Sequence, residues 1–429
     1  MNRPHLNKAF GGSLDLAQSG APARQRRVIL FSPVPPMKTG TADYFTMILA
    51  ELAATGIDRS QVLIAVDESY LPGPVAGLEI MGFPVVSYRQ VTNVVLANET
   101  RIYFLANNEF HTYCFASLSA SSRNEGGRII SVIHEPSCFM LMNHVSANRH
   151  HSFDDGQMIR AMRHQFGDRA EYVLNARRSG HLPFEAEYLM SVQGGALERS
   201  DEIWTHSQFA RRKLELESGP EGSATIRRSS HPVVPPAPPT APGVAEPKPD
   251  GVIRIGMFGW VAPSKRINPA ILAFAWALQT RPAAERRRYE LMVVGQLPER
   301  QHYDPAGLAQ ARDITQQVKF TGFVGPDRFD QLVETCDLIL NLRFPSCGET
   351  SGTLERALSN GIPVVTTGYQ AFAELPASAQ VSPFWPREAA QLFGLFCRVM
   401  NGDLPRQVNA PRCADTSIAQ LIYMNIRAR

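Results

Sequence analysis

The sequence predicts an α/β chain made of two doubly wound domains. Three observations carry this. Arg27 to Phe31 is a short apolar run that leads through a Gly-containing loop into a helix with an apolar face at Phe45, Ile48, Leu49 and Leu52. Past the middle of the chain the same order restarts: Val252 to Gly259, a loop, then an apolar helical face at Ile271, Phe274, Ala275 and Leu278. Between the two lies V-V-P-P-A-P-P-T-A-P-G-V-A-E-P-K-P-D, a Pro-rich linker.

A chain of 429 residues is long for one core and suits two. The domains expected are a disordered leader over 1–25, an N-terminal domain over 26–234, a linker over 235–250, a C-terminal domain over 251–405 and a final helix within 406–429. A formal charge of +3 argues against a protein that binds nucleic acid by neutralising many phosphates. None of the six cysteines forms a C-x-x-C pair, so no zinc or thioredoxin-type motif is suggested. Scattered cysteines fit a reducing cytosol. No apolar run is long enough to span a bilayer, and the first 25 residues do not read as a signal peptide. These features predict a cytoplasmic protein and leave room for a peripheral contact at the inner face of the membrane.

In the first half, Gln61 to Val66, Val85-Val86 and Ile102 to Leu105 are further short strands. The loop after the first strand lacks G-x-G-x-x-G, and G-x-x-x-x-G-K-[ST] is absent too. Asn107, Asn108 and His111 follow a strand end, where open α/β sheets place ligand contacts; an Asn-capped helix start reads equally well. Arg128 to Ile133 is a strong strand ending at His134-Glu135. Residues 143–178 have amphipathic spacing (Met158, Ile159, Met162, Phe166) and several cations, which predicts a helical excursion. Asp201 to Thr205 then reads as a strand leading to a helix with Phe209, Leu214 and Leu216.

In the second half, Tyr289 to Gly295 and Val318 to Val324 read as strands, followed by a helix at 328–335. Asp337 to Leu340 reads as the next strand. A polar loop punctuated by Gly348 and Gly352 follows, and Thr350 or Ser351 caps a helix with Leu354, Ala357 and Leu358 inside. Asn360-Gly361 stops that helix in the left-handed conformation, and Ile362 to Val365 starts a strand. A short Gly-bearing loop between a parallel strand and a helix N-terminus offers free amides and a favourable dipole to an anion. Glu355, one turn in, can reach ribose hydroxyls beyond the phosphates.

The stretch L-R-F-P-S-C-G-E-T-S-G-T-L-E-R-A-L-S-N-G-I-P-V-V resembles the donor-binding loop of retaining nucleotide-sugar glycosyltransferases of the GT-B fold. It is similar in particular to the bacterial subset with a leucine-arginine-x-proline … glycine-glutamate-threonine-serine signature. That resemblance implies two Rossmann-like domains facing a cleft, with a C-terminal helix crossing back to the first domain. It implies a nucleotide sugar, GDP- or UDP-linked, as donor, a glycan or lipid-linked acceptor, no cofactor and no metal. In that family two glutamates stand eight positions apart. Glu355 matches the second, which holds the ribose. Position 347 is Cys here, and the acid nearby is Glu349.

The opening S-P-V-P-P … G-T-A-D-Y is also shared, which carries over Thr39 and Gly40, and after them Asp43 and Tyr44. His134 takes the place of a histidine that contacts the donor sugar, and Asn107, Asn108 and His111 become cleft-lining candidates on the acceptor side. Lys265 stands six residues after Gly259, as the family's phosphate lysine does. The arginine that normally follows that glycine is Trp260, so Arg343, and then Arg266, are candidates for its charge. The implied catalytic set is His134, Lys265, Arg343 and Glu349. The donor set is Thr39, Gly40, Gly259, Arg266, Gly348, Thr350, Ser351, Gly352, Thr353, Leu354 and Glu355. Two rival functions share these features: a non-catalytic nucleotide-sugar-binding partner of an assembly complex, and an epimerase of the same fold.

Overall fold

The computed structural model describes residues 26–146, 155–219, 222–232, 248–299, 302–374, 377–406 and 415–427. The expected leader, most of the Pro-rich linker and Cys413 lie outside the described residues.

Two sheets organise the chain. The first contains β1 (Arg27–Phe31), β2 (Val62–Val66), β3 (Glu79–Ile80), β4 (Phe83–Ser87), β5 (Glu99–Leu105), β6 (Arg128–Ile133), β7 (Glu202–Thr205) and β8 (Thr225–Arg228). Its order is β8-β7-β6-β5-β1-β2-β4-β3. Every pairing is parallel except β3 with β4. The second contains β9 (Ile253–Phe258), β10 (Tyr289–Val294), β11 (Val318–Gly322), β12 (Leu338–Asn341), β13 (Val364–Thr367) and β14 (Ala379–Val381), in the order β11-β10-β9-β12-β13-β14, all parallel. In each sheet the order reverses beside the first strand. Such switch points open a crevice at the carboxyl ends of the strands.

Local chemistry explains the elements. Helix Gly40–Ala54 is capped by Thr39 and buries Phe45, Ile48, Leu49 and Leu52. Helix Ile267–Gln279 buries Ile271, Phe274, Ala275 and Leu278. Within 143–178 the chain forms helices Asp155–Phe166 and Ala170–Arg178, with Met158 and Met162 fully buried. In helix Gln208–Ser218, Leu214 is buried but Leu216 faces solvent at 83% exposure, so the expected apolar face is narrower. Gly361 alone takes the left-handed turn, at φ 71; Asn360 stays at φ −89 as C-cap.

The last helix, Ile418–Arg427, crosses back to the first lobe. Ile418, Ala419, Leu421, Ile422 and Ile426 join the cluster that holds Ile48 and Leu52. Their spacing gives one apolar stripe, and each large side chain contributes on the order of 1.5–3 kcal/mol on burial. Arg128 Nη1 donates to Asn425 Oδ1 at 2.6 Å, and Ser230 bridges Ser417.

Candidate active site

The carboxyl ends of the two sheets face each other across a cleft of about 730 Å³. Its C-terminal wall follows the ends of β9, β10, β11 and β12: Gly259, Gly295, Phe323 and Arg343 all line it.

Lys265 sits in the turn Pro263–Lys265 after β9. Its ammonium makes no hydrogen bond or ion pair among the described residues. Burial, and then the Arg343 guanidinium, hold its pKa well below the usual lysine range; only Glu349 opposes this. Arg343 follows β12 and is 6% exposed. Its amide donates to Thr367 Oγ1 (2.9 Å) and its Nη1 to the Leu342 carbonyl (2.8 Å). Its Nε lies 3.7 Å from Glu349 Oε1. Burial lowers its pKa to about 10.

The Glu349 carboxylate is tied to its own loop. Its Oε2 accepts from Ser346 Oγ at 2.8 Å and from the Cys347 amide at 2.9 Å. Ser351 caps the helix Gly352–Ser359: its Oγ accepts from the Leu354 amide and donates to Asn341 Oδ1. That leaves the amides of Gly352 and Thr353 at the open end of the helix. Thr350, Ser351, Gly352 and Thr353 all line the cleft.

The N-terminal wall carries Thr39, Gly40, Asn107, Asn108 and His134. His134 follows β6, and its amide donates to the Leu105 carbonyl at 3.0 Å. Its Nε2 is buried without a hydrogen-bond partner in the described residues. The Tyr44 ring meets it edge-on at 4.5 Å, and His206 and His111 lie 5.8 and 6.3 Å away, centroid to centroid. Burial, and then the other histidines, push its pKa well below the usual range, so the ring is neutral. A neutral imidazole with one unused nitrogen can exchange a hydrogen bond with a hydroxyl.

Glu135, whose role the sequence leaves open, also lines the cleft. Its Oε2 accepts from the Asn107 amide at 2.7 Å. Burial, and then the Glu349 carboxylate, raise its pKa to about 8. The lobes touch here. Asn107 Nδ2 donates to Cys347 Sγ at 3.2 Å, and the Ser137 amide donates to the Cys347 carbonyl at 3.2 Å. Asn108 serves both of its readings: it lines the cleft, and its Oδ1 caps the turn Glu109–His111.

Five expected site residues do not line the cleft. His111 is fully buried behind Thr41; its Nδ1 donates to the Phe104 carbonyl and its Nε2 accepts from Thr41 Oγ1, both at 2.8 Å. Arg266 turns away and pairs through Nε and Nη2 with the carboxylate of Glu388, so it cannot replace the missing phosphate arginine. Leu354 is core, packed with Ile339 and Val364. Gly348 is wedged against the first lobe at φ 84. Glu355 is half-buried beside the cleft; its carboxyl has no hydrogen-bond donor among the described residues, and burial raises its pKa to about 7. Conversely, sequence reasoning passes over Arg356 and Phe323, which do line the cleft. Arg356 is legible in principle: it stands four residues after Gly352, and helical side chains lean back over the preceding turn.

The profile of the family "Glycosyl transferases group 1" matches residues 253–391, the span that holds Lys265, Arg343, Glu349 and Glu355. Residues 253–391 thus match a glycosyltransferase family, and the chain as a whole has the GT-B fold. The chain is similar in structure to HepE of Anabaena in complex with UDP, at 13% identity and a TM-score of 0.51 over 87% of this chain and 90% of that one. It is similar to the trehalose-6-phosphate synthase OtsA, at 10% identity and a TM-score of 0.57 over 94% and 99% of the two chains. It is also similar to the sucrose-phosphate synthase of Thermosynechococcus elongatus, at 14% identity and a TM-score of 0.50 over 89% and 95%. At these identities the likeness is one of fold. No curated protein matches the chain. No helix among the described residues is long and apolar enough to cross a membrane.

Proposed function

We propose that the enzyme moves a sugar from a GDP- or UDP-linked donor to a hydroxyl of a glycan or lipid-linked acceptor, with retention at the anomeric carbon and without a metal ion. The observation that carries this reading is the meeting of Lys265 and Arg343 in the cleft, beside the open end of helix Gly352–Ser359. Two cations and two free amides suit a departing diphosphate. Stabilising that leaving charge in a site already arranged for it is the main catalytic term. The resemblance gives the ribose to Glu355, which stands beside the cleft and not in its wall. His134 and Gly40 orient the sugar from the opposite lobe, with Thr39 beside them. Lobe closure excludes water that would otherwise hydrolyse the donor.

Heat-unfolding of the full chain with UDP, GDP, ADP and their sugar conjugates tests the donor class. One nucleoside diphosphate raises the unfolding temperature well above the others, and its sugar conjugate supports transfer to a glycan panel in excess EDTA. Absence of any nucleotide effect, or turnover abolished by EDTA and restored by a divalent ion, overturns the reading.

A further inference from the structure

Arg356 is a cation of the cleft that the reading above does not use. Its side chain is 14% exposed. Nε donates to Asp330 Oδ1 at 2.7 Å, and the guanidinium carbon lies 5.4 Å from the Phe329 ring centroid. These two contacts fix the plane of the group. Neither Nη1 nor Nη2 has a hydrogen-bond partner among the described residues. Nη1 sits over the start of the helix, 3.3 Å from where a Cβ on Gly352 would be. Any larger residue at position 352 would crowd it. Asp43 of the first lobe also lines the cleft and interacts electrostatically with this guanidinium, but the two form no ion pair within 4 Å. An arginine anchored at Nε, with both terminal nitrogens unspent, presents a planar two-pronged donor.

We infer that Arg356 is a substrate-binding residue whose Nη1 and Nη2 grip an oxyanion in the cleft, beside the Gly352 end of the helix. The inference rests on the reading of the cleft as a nucleotide-sugar site. The oxyanion has two sources, the donor diphosphate or a phosphate on the acceptor. Position favours the donor, since Thr353 and Gly352 offer amides at the same place. Lysine would keep the charge but lose the fork.

Calorimetric titration of the full chain distinguishes the sources. UDP, GDP, uridine and guanosine are titrated into wild type, Arg356→Ala and Arg356→Lys, and inorganic phosphate is then titrated into each protein saturated with its preferred nucleotide. If the donor supplies the anion, Arg356→Ala weakens the preferred diphosphate about tenfold and leaves the nucleoside unchanged. If the acceptor supplies it, nucleotide binding is kept and phosphate binding to the nucleotide-saturated protein is lost. Unchanged titrations of both kinds in Arg356→Ala overturn the inference. Should Arg356→Ala fail to fold, Arg356→Lys carries the test: diphosphate and phosphate affinities that both equal wild type overturn it. A wild type that binds none of the nucleotides refutes the functional reading instead.

Discussion

Lys265 and Arg343 reach the same part of the cleft from two different loops, and Glu349 is the carboxylate that offsets them. The site therefore holds more positive charge than it can neutralise by itself. Bringing like charges together away from water costs folding energy, and an incoming diphosphate relieves it.

Lys265→Met should make the unliganded protein more stable, by about 1–2 kcal/mol, because a desolvated charge is replaced by an apolar side chain of similar length. The same change should weaken nucleoside diphosphate binding at least tenfold and lower turnover by about a hundredfold or more. Chemical denaturation and steady-state kinetics on one preparation check both halves. A variant that is less stable and still turns over normally contradicts the assignment.

Glu135 gives a pH dependence with a definite sign. Burial, with Glu349 beside it, raises its pKa from 4.5 to about 8. The folded state thus keeps a proton that the unfolded state releases near pH 4.5. Between these values the folded protein binds more protons, so stability falls as pH rises, by at most ~1.4 kcal/mol per unit for this one group. Glu135→Gln keeps the acceptor for the Asn107 amide and removes the titration. Its stability relative to wild type should grow from about pH 5 to about pH 8 and level off above. A difference that is flat across that range would contradict the protonated acid.

Arg266→Ala should damage stability rather than turnover. Its guanidinium holds the buried Glu388 carboxylate, and Arg266 itself occupies a left-handed backbone position at φ 58. Removing it leaves Glu388 buried and unpaired, a loss of roughly 2–4 kcal/mol after allowing for partial exposure of the arginine. Nucleotide affinity per folded molecule should stay within about threefold of wild type, a difference of roughly 0.7 kcal/mol. A large loss of affinity with unchanged stability would return Arg266 to the phosphate site.

The contrast between Lys265 and Arg266 shows how much of this enzyme can be read from its residues. Most strands of both sheets, the Ser351 cap and the helix Ile418–Arg427 follow from apolar spacing, capping chemistry and turn residues, which are local. Lys265, Arg343 and His134, which line the cleft, are marked in the sequence by the family resemblance and not by any local pattern. The misses are tertiary. Whether Arg266 or Lys265 faces the cleft depends on Glu388, more than a hundred residues later in the chain. His111 is drawn behind the wall by Thr41 and the Phe104 carbonyl, partners that no local pattern announces.

Gly348 is where the two lobes bear on each other. Its φ of 84 suits glycine, and a Cβ there would stand 2.6 Å from Pro136 Cγ and 2.8 Å from Phe209 Cε1, both in the first lobe. Neither ring can swing away as a flexible side chain could. Alanine at 348 therefore forces either the loop or the whole lobe to retreat. Retreat of the loop would move Glu349 and Thr350 with it, along with the amides that follow; retreat of the lobe would draw His134 away from them. In both cases groups that must act on one sugar separate, and misplacement on the order of 1 Å costs about a hundredfold in rate. Gly348→Ala should thus lower kcat strongly while diphosphate affinity, set within the second lobe, falls much less. Equal losses in both would mean that the loop collapsed onto the phosphate site instead, and an unimpaired kcat would show that the lobes do not need this contact for transfer.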